Sequence, residues 1–526
     1  MRRSVVVVAL VALAAHLLTL WRYGFYRDEL YFLICFKHLA WGFADQPPLV
    51  PLVAGLTYAL HGSLYGTRIL VAIAAALTVL AAAAIARALG AGRFGQIVAA
   101  VATALMPASL FLGNTLTTTS FEPLMWTGAI LLAIQQSSVI PSERTAVAES
   151  DVEGGAWWRW LALVLTLAIA AYMKYSIFLL VAALVVGAAL CKRWRLALWM
   201  AAAGAVAVIL LAPNIAWQAS HGFPMLAVLR GDALARHGLN GGLQLEYSNA
   251  LTNAAAFAAE QFLYTGPLSA PLWIAGVVAL LRRREVHGAA FVGAAYVVAV
   301  ILAFALLAKG YYIIGIYPAL FAAGATWLER LAIPARRAYV AVLVAIGLIA
   351  APATIPVLPV DGLIAYMHAF GAPPRLEQPL FADEFGWEAL TRAVARQYFA
   401  LPPRIRARTP IFADTYGDAA AIEYYGPRYG LPVPISAKDQ YYLWGTRGYD
   451  LSRMLAVGAS EYWTLRKLYR SVVMVGTFSD PYRWALEGPT PIYICSHPIV
   501  PLAQIWPSLK WFGEYGGALS SRASKG

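Results

Sequence analysis

The chain has 526 residues, is 60% apolar and only 13% charged, and carries a formal net charge of +13. A soluble domain has about 25% charged residues, and the basic residues here sit in short clusters between apolar runs, so a soluble enzyme and a nucleic-acid-binding face are both set aside. Cys35, Cys191 and Cys495 are too far apart for a CxxC motif or a zinc spacing, which argues against a disulfide framework and a cysteine zinc site.

In chain order, apolar runs near the ~20 residues that cross a bilayer as a helix fall at 4–20, 64–88, 96–113, 120–137, 158–173, 175–191, 196–213, 267–282, 288–308, 311–329 and 338–357. This predicts a polytopic α-helical membrane protein of about eleven transmembrane helices. The first run follows Met1-Arg2-Arg3, and Ala12-Leu13-Ala14 has the form of a signal cleavage site. The run continues to about Leu20, longer than a signal core, and is read as an uncleaved first span.

The charges between the runs set a topology. Arg2 and Arg3, Arg87 and Arg93, Arg144 and Arg159, Lys192 with Arg193 and Arg195, Arg282 to Arg284, and Arg330 with Arg336 and Arg337 all fall on one side of this path. The positive-inside rule makes that side cytoplasmic, with the N-terminus inside and the C-terminus outside. The polar stretch 137–155 is then a flexible cytoplasmic loop. The outer segments are 21–63, 114–120, 173–175, 214–266 and 309–312. They hold Asp28, Glu29, Asp45, Lys174 and Lys309, with Glu122 just inside the fourth span. Isolated ionisable groups beside the bilayer are functional-site candidates by default.

Residues 358–526 have more charges and turn residues and shorter apolar runs. "PIFADTY" and "PIYICS" predict short buried strands, and "GDAAAIEYYGPRYG" a helix ending near glycine. The domains expected are a transmembrane domain at 1–357, including the first outer loop at 21–63, and an extracytoplasmic α/β domain at 358–526.

Residues 27–40 predict a short amphipathic helix on the membrane surface, with Leu30, Phe32, Leu33, Phe36 and Leu39 toward lipid and Arg27 and Lys37 as polar anchors. Asp28 and Glu29 occupy its first turn, where the helix dipole favours acids. Pro47-Pro48 stiffens the chain beside Asp45. Two carboxylates are thereby held near one point outside the bilayer. Such acids suit three tasks: binding a cation, relaying protons, or acting as general base on a hydroxyl acceptor. Plainer roles stand beside these. Asp28 and Glu29 suit a helix cap, Asp45 a turn, Glu122 a buried ion pair, and Lys174 and Lys309 span-end anchors. Tyr311, Tyr312 and Tyr317 suit an interface belt, and Tyr416, Tyr424 and Tyr425 a domain core or a docking surface of the tail domain.

The series Asp28-Glu29, Asp45-Gln46-Pro47-Pro48, "FEPLMW" (121–126), "MKYSIFLL" (173–180), "PNIAWQASHGFP" (213–224), "KGYYIIGIYPALFAAGA" (309–325), "FADEFGWEAL" (381–390) and "IFADTYGDAAAIEYYG" (411–426) runs through nearly the whole chain. It resembles the dolichyl-phosphate-mannose protein mannosyltransferase superfamily of GT-C glycosyltransferases (glycosyltransferase family 39), within it the bacterial ArnT-like subgroup. The resemblance implies inverting transfer of a sugar from a polyprenyl-phosphate donor, outside the bacterial cytoplasmic membrane. The acceptor it implies is a glycolipid, a cell-envelope glycan or a protein. It implies Asp28 as catalytic base with Glu29 as its neighbour, and Asp45 as the second acid that orients the reactants. It implies no metal at the catalytic centre, although paired acids also suit a divalent ion. Related enzymes often have Lys or His after the second acid; here Gln46 stands there. Arg68, Lys174 and Lys309 are the cations near the outer face left to meet the leaving phosphate. Gln46, Glu122, Tyr311 and Tyr312 join them as substrate-binding candidates.

Two other functions compete. A transporter or flippase should show paired halves and ionisable groups at mid-bilayer, and the sequence has neither an internal repeat nor a mid-span acid pair. A non-catalytic assembly subunit on the same scaffold has no need of the retained acids, and fold alone does not decide function.

Overall fold

The computed structural model describes residues 2–138, 153–234, 250–282, 288–306, 308–376, 379–458, 462–483 and 488–513. Most of the loop expected at 137–155, with Arg144, and the basic pair Arg283 and Arg284 lie outside the described residues. The chain packs as two compact units. The first takes in Met1–Trp21, Tyr65–Ile215 and Tyr247–Val357; the second takes in Arg22–Leu64, Ala216–Glu246 and Leu358–Gly526.

The first unit is helical, and most of its helices follow the apolar runs. Examples are Arg3–Leu17, Leu64–Ala88, Glu122–Ser137, Ile177–Leu190, Ala290–Ala305 and Ile333–Ala350. Some runs read as single spans are broken. The run at 96–113 is split into Arg93–Ala104 and Pro107–Leu112. Pro107 has no N–H to give and its ring clashes with the preceding turn, so it starts a new helix. The run at 311–329 begins as a 3-10 helix, Gly310–Ile316, and becomes α-helical at Tyr317–Leu328. Among the described residues, Leu64–Ala88, Gly310–Leu328 and Ile333–Ala353 are each long and apolar enough to cross a membrane. Two further pairs, Trp194–Leu210 with Ala212–Ser220 and Ala254–Thr265 with Pro267–Arg282, pass the same test together, and five shorter apolar helices accompany them. The protein is thus a multi-pass membrane protein.

Small residues let these helices approach backbone to backbone. A Cβ at Gly276 would run into the Leu320 carbonyl oxygen, and one at Gly324 into that of Leu272, so helices Ala270–Arg282 and Tyr317–Leu328 touch directly. A Cβ at Gly187 would lie 2.6 Å from the Phe291 carbonyl oxygen, which joins Ile177–Leu190 to Ala290–Ala305 in the same way.

The second unit holds a four-stranded sheet of order β1-β2-β4-β3. The strands are β1 (Ile411–Ala413), β2 (Arg453–Val457), β3 (Tyr469–Phe478) and β4 (Thr490–Pro498). β1 runs parallel to β2, pairing Ile411 with Leu455; β4 runs antiparallel to both β2 and β3, pairing Ile494 with Leu455 and Val473. The two strands expected from "PIFADTY" and "PIYICS" are β1, wholly buried, and the inner strand β4. β1 leads through Thr415, whose hydroxyl caps Asp418 N–H at 3.1 Å, into helix Tyr416–Tyr425, the one expected from "GDAAAIEYYGPRYG".

The first outer loop departs from expectation. Residues 27–40 do not lie on a surface as an amphipathic helix. Helix Arg27–Lys37 is buried continuously from Glu29 to Cys35 and packs against helices Tyr416–Tyr425 and Leu49–Ala54 of its own unit. The reason is in the sequence: Leu30-Tyr31-Phe32-Leu33-Ile34-Cys35 is apolar or aromatic on every face, and such a helix is a core helix. Arg27, expected as a lipid-surface anchor, instead pairs with Asp383 at 3.0 Å.

Gly276→Val is expected to lower the thermal midpoint sharply, because the added carbons must push two helix backbones apart, and overpacking of this kind costs about 1–3 kcal/mol or more. Melting of the purified protein in detergent checks this; an unchanged midpoint would refute the close contact.

Candidate functional site

The start of helix Arg27–Lys37 is fixed from several directions. Arg27 N–H donates to the Asp383 carbonyl at 3.1 Å, and its guanidinium pairs with the Asp383 carboxylate. Glu29 folds back on its own helix, where Oε2 accepts from Tyr26 N–H at 2.8 Å, and it is wholly buried. The Glu29 carboxylate therefore serves as a cap, and the neighbouring Asp28 is left half-buried on the other side of the turn.

Asp28 Oδ1 accepts a hydrogen bond from the Tyr416 hydroxyl at 2.8 Å. Asp45 Oδ1 accepts one from the Tyr31 hydroxyl, also at 2.8 Å. The Tyr31 and Tyr416 rings lie against each other, with centroids 4.8 Å apart. The two acids of the first loop are thus gathered in one cluster through a pair of packed tyrosines. Burial pushes both phenols well above their ordinary range, so each is a fixed donor at any physiological pH. Burial, with Asp439 beside it, also pushes the Asp45 carboxyl well above the usual carboxylate range, against the opposing hydrogen bond from Tyr31.

The loop that carries Asp45 is held rigidly. Phe43 N–H donates to the Gln46 carbonyl at 3.1 Å, Ala44 N–H to Gln440 Oε1 at 2.9 Å, and Gln218 Nε2 to the Phe43 carbonyl at 2.9 Å. Gln46 itself is buried, with Nε2 facing Cys35 Sγ at 3.8 Å.

The remaining predicted residues belong to the first unit. Lys174 lies in the break between helices Glu153–Met173 and Ile177–Leu190. Its ammonium donates to Thr119 Oγ1 at 2.7 Å and Glu122 Oε2 at 3.0 Å. It also faces the Tyr311 and Tyr312 rings, 4.7 and 4.3 Å from their centroids. Those contacts combine an ion pair with cation–π attraction in a place largely closed to water. Lys309 is close enough for its charge to oppose that of Lys174, and its carbonyl accepts from Tyr312 N–H at 2.8 Å. Arg68 is wholly buried, with Nη1 donating to the Leu20 carbonyl at 3.3 Å. Asp28, Glu29, Asp45 and Gln46 therefore share one unit, and Glu122, Lys174, Lys309, Tyr311 and Tyr312 cluster in the other.

Tyr31, Asp439 and the contact of Tyr416 with Asp28 are not among the residues and contacts expected from the sequence, where Tyr416 suits a domain core or a docking surface. The one signal for Tyr416 was its position inside "IFADTYGDAAAIEYYG". Among the described residues, no group of three or more His, Cys, Asp and Glu side chains is arranged to hold a metal ion.

No family model matches the sequence, and no curated protein does. Among solved structures, ArnT from Cupriavidus metallidurans bound to undecaprenyl phosphate aligns at a TM-score of 0.56 and 15% identity, over 93% of this chain and 97% of that one. The same protein in its apo state aligns equally well. The chain has the GT-C glycosyltransferase fold. At this identity the likeness speaks for the fold alone, so the chemistry of this GT-C chain has to be argued from its side chains.

Two outcomes test the electrostatics of this GT-C protein. Lys174→Met is expected to destabilise it by about 3–5 kcal/mol, since Glu122 is left buried and unpaired, and Lys174→Met with Glu122→Leu to recover most of that loss. Denaturation of the three proteins in mixed micelles measures it; equal stability of Lys174→Met and wild type would refute the pairing. For Asp45 the folded carboxyl holds its proton to higher pH than the unfolded one. The unfolded state therefore loses its proton first, and stability falls as pH rises above the ordinary carboxylate range. Asp45→Asn is expected to flatten this fall between about pH 5 and about pH 8 in a melting series; parallel curves for the two proteins would contradict it.

Proposed function

We propose that the protein is an inverting membrane glycosyltransferase that moves a sugar from a polyprenyl-phosphate donor to an extracytoplasmic acceptor, a glycolipid, cell-envelope glycan or protein. The observation that supports it most is the gathering of Asp28 and Asp45 into one tyrosine-held cluster within a GT-C fold. The solved ArnT was captured with undecaprenyl phosphate, which favours a polyprenyl phosphate as the lipid carrier here too. The basic clusters between the apolar runs favour about eleven spans, a cytoplasmic N-terminus and an outward-facing second unit, in a bacterial cytoplasmic membrane.

The reaction we propose uses few groups. Asp28 takes the proton of the acceptor hydroxyl as its oxygen attacks the anomeric carbon. The bond from that carbon to the phosphate oxygen breaks on the opposite face, so the configuration inverts. Phosphate is an able leaving group and calls for charge neutralisation more than for an acid. Within the first unit, Arg68, Lys174 and Lys309 are the candidates for a phosphate contact, with Glu122 fixing Lys174 in place. Asp45, neutral over much of the pH range, suits a hydrogen-bonding role toward the reactants rather than that of a second base. Alignment by such groups contributes as much to the rate as the proton transfer itself.

The test is release or transfer of sugar by the purified protein from a panel of undecaprenyl-phosphate sugars. Asp28→Asn is expected to lower turnover by roughly 10²–10⁴ with donor binding kept. Equal turnover by the two proteins would overturn the assignment of Asp28.

A further inference from the structure

The residue that meets the proposed base comes from far along the chain. Tyr416 opens helix Tyr416–Tyr425, immediately after the cap Thr415. The next residue is Gly417, where a Cβ would lie 2.5 Å from Arg27 Cγ. A larger residue at 417 would hold this helix away from helix Arg27–Lys37. The glycine therefore allows the approach that brings the Tyr416 hydroxyl to 2.8 Å from Asp28 Oδ1. The ring is fixed as well. The Arg27 guanidinium lies 5.7 Å from its centroid, and the Tyr31 ring packs 4.8 Å from it. Tyr31 is in turn anchored to Asp45. The phenol is thus a donor with one available direction.

An aspartate carboxylate turns broadly about its last side-chain torsion. A general base must present one oxygen to the proton it removes, within hydrogen-bond reach. We infer that Tyr416 is a positioning residue for the reaction proposed above: by donating to Oδ1 of Asp28 it fixes the plane of the carboxylate and leaves Oδ2 as the oxygen that receives the acceptor proton. This rests on Asp28 being the base.

The experiment compares wild type, Tyr416→Phe, Asp28→Asn and the double variant as full-length purified proteins. Each is assayed for release of sugar from the undecaprenyl-phosphate sugar that wild type turns over fastest, across a range of pH. Tyr416→Phe keeps the ring and its packing on Tyr31, and melting confirms that it is folded. The expected result is a fall in kcat of roughly 10–100-fold with donor KM within about threefold. The double variant is no slower than Asp28→Asn, since Tyr416 acts only through Asp28. Wild-type kcat in Tyr416→Phe, or independent losses that multiply in the double variant, would overturn the inference while leaving Asp28 as base. Wild-type turnover by Asp28→Asn would overturn the base assignment and the inference with it.

Discussion

A helix with no polar face has to be covered on all sides. Leu30, Tyr31, Phe32, Leu33, Ile34 and Cys35 occupy consecutive positions of helix Arg27–Lys37, and all are buried. Burying a large apolar side chain stabilises by about 1.5–3 kcal/mol, so the cover is strongly favoured. Nothing in the short loop around this helix can supply it alone. Helices Tyr416–Tyr425 and Leu49–Ala54 both pack against it and supply a large part.

The polar groups of the site follow from the same burial. A buried charge is tolerated only with a partner. At the helix start every charged group has one: Arg27 has Asp383, Asp28 has the Tyr416 hydroxyl, and Glu29 has the Tyr26 N–H of its own first turn. Asp45 shows the other solution, since burial and Asp439 hold it in the neutral form. Three acids close in sequence thus acquire three different characters. One is a structural cap, one is held by a hydrogen bond at a half-buried position, and one is kept protonated. A division of labour of that kind is what acid–base chemistry at a single centre requires.

The first unit is held together by a different device. Between apolar helices in lipid there is little hydrophobic force, and close packing takes its place. Gly276, Gly324 and Gly187 let backbones touch. The few charges that remain are enclosed together, as Lys174 is by Glu122, Thr119, Tyr311 and Tyr312.

The sequence by itself determined the class of the protein, the positions of the apolar helices, the strands β1 and β4, and the helix after β1. Each is written in a local pattern: hydropathy over about 20 residues, or a short apolar run bounded by turns. The break at Pro107 was equally local. The buried state of helix Arg27–Lys37 was legible too, in six consecutive apolar or aromatic residues, once Tyr31, Ile34 and Cys35 are counted with the rest. The acids Asp28 and Asp45 were found as candidates because charge is rare in this chain. Only the tertiary structure decided what those acids touch. Tyr416 lies 388 positions from Asp28, and Asp439 is farther still from Asp45. No periodicity spans such distances; the partners meet because one apolar helix needed covering and the cover carried a tyrosine at the right turn.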